Sequence, residues 1–163
     1  FSFTSIFWRL IIRIMEQKTR KPKPIFKQGP ISAESIGVSI ANHQSKTEIG
    51  AHNIFMGQVR ADKIEGKKVV AIEYTANEEL ANEAVFAIRE QAFEKYNLTC
   101  MHIYHSLGEV KTGEICLFIF VSSPRRDAAN DACRYILEAI KKEAPIFGKE
   151  LFEDNTHKWK VNN

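Results

Sequence analysis

The chain has 163 residues, of which 44% are apolar, and its formal net charge is +3. This length and composition predict one soluble domain that is large enough to bury a core. The positive charge belongs to residues 1–30, which hold seven Lys or Arg and one acid, whereas residues 31–163 hold sixteen bases and nineteen acids. A mildly acidic body disfavours a nucleic-acid-binding protein, which usually has a basic face.

The N-terminal residues differ in composition from the rest. Residues 1–14 are apolar but interrupted by two arginines, and they are too short to span a bilayer. We expect them to be either upstream sequence read in frame before Met15 or a poorly ordered extension. Residues 16–30 are basic and contain three prolines, which predicts a linker or an extended arm.

The following residues alternate between helical and strand patterns. Ser32 is placed to cap a short helix over 32–43, with Ile36 and Ile40 facing inward. Asn77 is placed to cap a helix that reaches Tyr96. The stripe predicted for that second helix consists of Leu80, Ala84, Ile88, Ala92 and Tyr96.

Strands are predicted between these helices and after them. The last of these strands is almost continuously apolar and should lie in the interior of the sheet. Pairs of strands between helices predict an α+β domain with a mostly antiparallel sheet. The predicted strands are 52–60, 68–75, 99–106 and 114–122.

A final helix is predicted within 122–150, followed by an irregular C-terminal segment. Ser123 suits its N-cap and Pro124 its first position, and Pro145 would end it. Its predicted buried face consists of Ala128, Ala132, Tyr135, Ile136, Ala139 and Ile140.

Two arginines at the start of this helix are unusual, because the helix N-terminus already carries partial positive charge. Arg125 and Arg126 are explained by a docked anion, or by a solvated surface on which Asp127 and Asp131 offset them. Lys141 is fifteen residues beyond Arg126, roughly 22 Å along a helix. These cations therefore serve different sites, or one site is built from two subunits, which predicts a homodimer.

Cationic side chains carry most of the predicted chemistry. Arg60, Arg125, Arg126, Lys141 and Lys149 follow or end predicted elements, and such a set suits a phosphorylated, anionic substrate. A lysine desolvated among them would have a lowered pKa and could act as a nucleophile or a base. A lone histidine such as His105, at a strand end, is more typical of a structural hydrogen bond than of catalysis.

The three cysteines, Cys100, Cys116 and Cys133, form no CxxC pair, and no histidine lies at metal-ligand spacing from them. This pattern predicts reduced core thiols in a cytoplasmic protein, with neither a metal site nor a bound cofactor.

Five segments in order resemble the large, catalytic subunit of molybdopterin synthase, the MoaE family. The resemblance covers about residues 25–161. The segments are FMGQVR (55–60), AIEYTAN (71–77), HSLGEVKTGE (105–114), VSSPRRDAA (121–129), and the run from Lys141 through PIFGKE to Trp159.

The resemblance implies an α/β-hammerhead fold, with residues 1–27 as an N-terminal extension and residues 28–163 as the catalytic domain. It implies a central dimer within a heterotetramer, each protomer binding a small ubiquitin-like sulfur carrier of the MoaD family. The thiocarboxylated C-terminus of the carrier would deliver sulfur to cyclic pyranopterin monophosphate, to form the dithiolene of molybdopterin. Neither nucleic acid nor a membrane is an expected partner.

The same resemblance assigns roles to individual residues. Lys141 matches the lysine that the family requires for catalysis, for proton transfer or for attack on the acyl group of the carrier. Arg60 and Arg126 would contact the substrate phosphate or the pterin. Phe55 and Leu137 would be apolar walls of the pocket.

The chain departs from the family pattern at three positions. Arg125 stands where the family has histidine, and Ser106 where it has arginine. Gly148 replaces the first lysine of a family Lys-Lys pair, whose second member is Lys149. Lys149 reaches the pocket through an altered backbone or points away from it, and the sequence leaves both possibilities open.

Two other function classes were weighed against the enzyme. The first is a non-catalytic scaffold of the same fold that binds the carrier and has lost its chemistry through Gly148. Retention of Lys141, Arg60 and Arg126 argues against it. The second is a ferredoxin-like nucleic-acid binder, which the acidic body and the lack of paired exposed aromatics on the strands disfavour.

Overall fold

The computed structural model describes residues 3–19 and 21–161, which contain four helices and eight strands. The helices are α1 (Phe3–Thr19), α2 (Ala33–His43), α3 (Glu78–Lys95) and α4 (Arg126–Glu143). The strands are β1 (Phe26–Gln28), β2 (Ala51–Gln58), β3 (Lys63–Ile64), β4 (Lys67–Ala76), β5 (Cys100–Lys111), β6 (Ile115–Ser123), β7 (Ile146–Phe152) and β8 (His157–Trp159).

The strands form one sheet in the order β2-β6-β5-β4-β7-β8, and every neighbouring pair along this path is antiparallel. β1 joins β5 in parallel, and β3 pairs with β4. This arrangement confirms the predicted α+β class with a mostly antiparallel sheet. β6 lies between two other strands and is buried along nearly its whole length, as its apolar sequence predicts.

β5 connects two halves of the sheet. Its first part, Cys100–His105, pairs with β6, and its later part, Gly108–Lys111, pairs with β4. Gly108 adopts a positive φ of 79° at the changeover, a conformation that residues with a Cβ rarely adopt. The predicted loop after His105 is therefore the continuation of a long strand.

Helices α3 and α4 pack on each other, and α4 also covers β2 and β6. Asn77 caps α3 as predicted, because its side chain accepts a hydrogen bond from the Leu80 amide. The predicted stripe was displaced, however: Leu80 is 53% exposed, whereas Ala81 and Val85 are buried beside Ile88 and Ala92. On α4, the buried residues are Ala129, Ala132, Cys133, Ile136, Ala139 and Ile140, so that Ala128 and Tyr135 lie at the edge of the predicted face.

The predicted start of α4 was wrong. Ser123 and Pro124 precede the helix, and the N-cap residue is Arg125, which makes no side-chain capping bond. Ser123 is fully buried at the end of β6, where its hydroxyl donates to the Asn97 carbonyl at 2.7 Å and accepts from the Arg125 amide at 3.2 Å. The serine thus joins the strand to the helix.

α2 begins as predicted, since the Ser32 hydroxyl accepts a hydrogen bond from the Ser35 amide. Ile36 is buried, but Ile40 is 36% exposed and does not face the core as predicted. Residues 3–19 form α1, whose described apolar side chains are largely exposed, and the predicted linker includes β1. The boundary between extension and catalytic domain stays a prediction.

The C-terminal segment, expected to be irregular, forms strands β7 and β8. All three cysteines are free and buried. Among the described residues, no helix combines the length and the apolar character that crossing a membrane requires.

Candidate functional site

A small cavity lies where the end of α4 meets the outer half of the sheet. Its volume is about 30 Å³, enough for roughly one water molecule. A ligand of ordinary size must therefore lie at its mouth and insert only a narrow end. Its lining includes Tyr74, His105, Lys141, Ile146, Gly148 and Lys160.

Lys141 is the predicted catalytic residue in this cavity. It lies in the last turn of α4, and the helix ends beyond it because Ala144 already has an extended backbone before Pro145. Surrounding protein atoms desolvate its ammonium group and lower its pKa, and the charge of Lys160 lowers the pKa further. The residue as a whole is exposed, but the pKa responds to the atoms around the ammonium rather than to the accessibility of the stem.

His105 lies on β5 and is only 5% exposed. Its Nδ1 is 2.8 Å from the Ser106 carbonyl oxygen, which can only accept, so Nδ1 carries the proton and Nε2 is the acceptor nitrogen of the neutral ring. Burial lowers the pKa of His105 to about 4, with Lys141 contributing in the same direction. The predicted structural hydrogen bond is present, and the ring also forms part of the cavity wall.

Tyr74 of β4 packs its ring edge-on against His105, with 5.0 Å between centroids. Its pKa is raised, first by burial and then by Cys116, with a smaller contribution from Glu150. The phenol therefore stays protonated at neutral pH and can donate a hydrogen bond in the cavity.

Arg60 follows β2 and forms a two-pronged ion pair with Asp62, with Nε–Oδ1 at 2.6 Å and a second nitrogen 3.1 Å from Oδ2. Its side chain is 83% exposed. The hydrogen bond from Arg60 is the main cause of the lowered pKa of Asp62, and the charge of Lys160 adds to it. Arg60 does not belong to the lining of the Lys141 cavity.

Arg125 and Arg126 are exposed at the opposite end of α4 from Lys141. Arg126 makes a loose contact with Asp127, at 3.9 Å between Nε and Oδ1, and both side chains are nearly 90% exposed. Within one chain the helix separates these arginines from Lys141, as its length predicts. None of the three predicted arginines lines the Lys141 cavity, and their contact with a substrate stays a prediction.

Lys149 does not line the cavity. Successive residues of a strand face opposite sides of the sheet, and Gly148 faces the cavity. Lys149 pairs instead with Glu73, at 2.9 Å between Nζ and Oε1, and its ammonium lies 5.8 Å from the centre of the Trp159 ring. Of the two possibilities left open by the sequence, the structure has the one in which Lys149 points away.

Phe55 and Leu137 are partly buried against the main core. The Phe55 ring lies near Gly57, and the backbone amide of Phe55 donates a hydrogen bond to the Cys133 sulfur on α4. Neither side chain belongs to the lining of the Lys141 cavity. Their role as walls of a larger pocket stays a prediction.

Lys160 and Tyr74 line the cavity but are not among the site residues predicted from the sequence. Tyr74 lies within one of the five segments, where its aromatic side chain could have been singled out. Lys160 has no local signal, because it follows β8 and reaches the cavity only through pairing of β8 with β7.

Larger cavities lie elsewhere on the molecule. One of about 520 Å³ is lined by Lys21, Lys23 and residues of α3 and β5, and one of about 580 Å³ lies along α3 and α4. Neither contains Lys141 or Arg60. No cluster of three potential metal ligands occurs in the described part of the chain.

Comparison with known families gives a match to the MoaE protein family over residues 27–143. A molybdopterin synthase catalytic subunit from Bacillus subtilis is 38% identical over 125 residues, which are 77% of this chain and 76% of the relative. The same protein from Rattus norvegicus is 30% identical over 152 residues, covering 93% of this chain and 74% of the relative.

Solved structures have the same fold. The crystal structure of molybdopterin synthase from Staphylococcus aureus matches with a TM-score of 0.72 and 30% identity, over 87% of this chain and 99% of that chain. A complex of subunits 1 and 2 of the molybdopterin-converting factor from Helicobacter pylori matches with a TM-score of 0.72 over 85% of this chain and 90% of that chain. The latter is 19% identical and supports the fold alone.

Proposed function

The chain belongs to the MoaE family, and we propose that it is the catalytic subunit of a molybdopterin synthase. In this role it is a sulfurtransferase that moves sulfur from the thiocarboxylated C-terminus of a small carrier protein to cyclic pyranopterin monophosphate. The observation that carries the proposal is Lys141, whose pKa is lowered in a narrow cavity shared with His105 and a second lysine.

The narrowness of the cavity suits the end of an extended peptide. The carrier would insert its C-terminal group, and the pterin would lie at the mouth. The carrier sulfur first displaces an oxygen substituent from a carbon of the pterin: the C–S bond of a thioester between the two molecules forms as the C–O bond breaks, and the oxygen leaves as water or stays on the phosphate. Cleavage of the acyl C–S bond then leaves sulfur on the pterin as a thiolate.

Lys141 acts in this cleavage through its free amine, which the lowered pKa makes more abundant near neutral pH. As a base, it takes a proton from the water that attacks the acyl carbon, and the carrier leaves as a carboxylate. As a nucleophile, it attacks the acyl carbon itself and forms an amide with the carrier, which water must then hydrolyse. A lysine–carrier adduct detected by mass spectrometry would distinguish the second route.

The predicted arginines have different positions in this scheme. Arg60 would bind the substrate phosphate, for which three of its five N–H donors are free of the Asp62 pair. Arg125 and Arg126 are about 22 Å along α4 from Lys141 and would complete the site of a second copy. A homodimer is therefore part of the proposal, and Lys149, Phe55 and Leu137 remain secondary candidates.

The carrier completes the assembly as a heterotetramer. The two-subunit complex of the Helicobacter pylori factor, which shares this fold, supports a partner subunit. The free, buried cysteines suit a reducing compartment and support a cytoplasmic location.

The test is single-turnover conversion of the pyranopterin by the thiocarboxylated carrier. Lys141→Ala should lower the rate at least about 100-fold, since a positioned acid or base contributes on that order. Lys142→Ala, a neighbouring exposed lysine on the same turn, is the matched control and should keep the wild-type rate. Lys149→Ala should keep most of it, because Lys149 pairs with Glu73.

Carrier binding is measured by calorimetry on each variant. Product formation by Lys141→Ala at the wild-type rate would refute the assignment of this lysine. Carrier binding by the wild type without product would favour the non-catalytic scaffold, for which the missing side chain at Gly148 is the motivating observation.

A further inference from the structure

Lys160 follows β8 and lies directly beside Gly148 of β7. Its amide donates a hydrogen bond to the Gly148 carbonyl at 2.8 Å, which continues the pairing of the two strands. Both residues line the same cavity as Lys141. The lysine side chain is thus supplied next to a position that has no side chain of its own.

The cavity wall at Gly148 is tight on the side of β4. A Cβ at this position would lie 3.1 Å from Cγ2 of Ile72 and 3.4 Å from Cε1 of Tyr74. Any larger residue at 148 would require these neighbours to move, so the backbone of β7 serves as the wall. Lys160, which follows the adjacent strand β8, can reach the cavity without displacing Ile72 and Tyr74.

The charge of Lys160 affects the pKa values of two other residues, Lys141 and Asp62. After desolvation, it is the largest contribution to the lowered pKa of Lys141. It also lowers the pKa of Asp62, after the hydrogen bond from Arg60. The Lys160 charge therefore acts both on Lys141 and on the Asp62 carboxylate that pairs with Arg60.

We propose that Lys160 is the second cation of the Lys141 cavity, where it lies near enough to Lys141 for the two charges to oppose each other and binds the anionic end of the carrier. The assignment to a carrier rests on the proposed function. A thiocarboxylate at the end of an extended chain is a single negative charge on a narrow group, which suits a small cavity that holds two lysines. Lys160 is a positioning residue for Lys141 and a binding residue for the carrier end.

The first experiment needs no substrate. Lysines of the folded protein are labelled with limiting acetic anhydride at a series of pH values, and acetylation of Lys141 is read by peptide mass spectrometry. Lys160→Met removes the charge and keeps the length of the side chain. Labelling of Lys141 rises with pH through a midpoint, and in Lys160→Met this midpoint should move to higher pH because a neighbouring positive charge no longer opposes protonation of Lys141. At pH values below the midpoint, Lys141 labelling should be about three- to tenfold lower than in the wild type.

Lys160→Arg keeps the charge and should keep the wild-type midpoint. The matched control is Lys158→Met, an exposed lysine two residues away on β8 whose ammonium lies 3.5 Å from Glu65. It should also leave the Lys141 midpoint unchanged. A wild-type midpoint in Lys160→Met would overturn the proposal.

The second experiment measures carrier binding and single-turnover rate against pH. Lys160→Met should bind a carboxylate-ended carrier more weakly than Lys158→Met does, and the acid limb of its rate profile should move to higher pH. Equal carrier affinity in the two variants would overturn the binding role. A shifted labelling midpoint together with a wild type that makes no product would refute the sulfurtransferase function and support the pairing of the two lysines.

Discussion

Burial of His105 makes the stability of the fold sensitive to acid. The ring is 5% exposed and its pKa is about 4, against about 6.5 for a free histidine. Because the folded pKa is depressed, the unfolded chain binds the proton more readily between these two values. The stabilising contribution of the neutral ring is complete above pH 6.5 and is lost as the pH falls towards 4.

The size of this contribution follows from the two pKa values. Between pH 7.5 and pH 5, protonation of His105 in the unfolded chain alone removes roughly 2 kcal/mol from the free energy of unfolding. His105→Phe keeps an aromatic ring between Tyr74 and Phe26 but cannot titrate. The variant should therefore lose about 2 kcal/mol less than the wild type over the same pH range.

Urea unfolding of the wild type and of His105→Phe at pH 7.5 and pH 5 gives four free energies of unfolding. The pH-dependent loss of each protein is calculated, and subtracting one loss from the other cancels the contribution of the other titrating groups. Any stability cost of the substitution itself, including loss of the hydrogen bond to the Ser106 carbonyl, is common to both pH values. The control is His157→Phe, which removes an imidazole from the exposed strand β8. An identical pH-dependent loss in wild type and His105→Phe would refute the reasoning.

Two further predictions concern the junction between β6 and α4. Gly50→Ala should destabilise the fold by about 1–3 kcal/mol, because a Cβ there would collide with the carbonyl oxygen of Pro124, a backbone atom that cannot rotate away. Its control is Gly37→Ala in α2, where a Cβ meets nothing within 4 Å and a helical alanine should stabilise by up to about 1 kcal/mol; destabilisation by both would point to a general intolerance of alanine. Ser123→Ala should cost about 1–2 kcal/mol, since it leaves the Asn97 carbonyl without its donor and the Arg125 amide without its acceptor. Ser45→Ala at an exposed position is the comparison, and chemical denaturation midpoints that coincide for the two serine variants would contradict the role of the hydroxyl.

The sequence predicted those features of the fold that depend on local chemistry. The caps Ser32 and Asn77 bond to amides three residues later, so the neighbouring residues suffice to identify them. Ser123 is a serine like Ser32, but it is fully buried in a strand, where its hydroxyl donates to the carbonyl of a residue 26 positions earlier. This hydrogen bond is set by tertiary structure and cannot be predicted from the local sequence.

Packing also decided which face of each helix is buried. On α3, the apolar Leu80 is exposed and the small Ala81 is buried, so the direction in which each side chain points in the folded chain outweighs its apolar surface. Strands β7 and β8 escaped prediction since Gly148, Lys149 and Lys158 weaken the apolar alternation that identifies a strand. Their pairing with each other and with β4 supplies the missing stabilisation.

Only part of the candidate site could be predicted, because some of its residues belong to local motifs and others reach the site through tertiary structure. Lys141 and Arg60 are predicted from their own motifs, and of the two only Lys141 lines the cavity. The pairing of Lys149 with Glu73 followed from strand register, which the sequence did not give. Lys160 entered the site only through the last strand of the sheet.

The cavity around Lys141 is assembled from four separate parts of the chain: β4, the paired strands β5 and β6, the end of α4 with β7, and Lys160 after β8. The pKa of its amine is lowered only when all four have come together, because desolvation and the neighbouring charge both depend on long-range contacts. A molecule with its sheet incompletely formed carries an ordinary lysine at this position. Acylation of that single amine near neutral pH would therefore distinguish correctly folded molecules from misfolded ones in a mixed preparation. A chain that has not finished folding would not consume the activated end of its partner in an unproductive reaction.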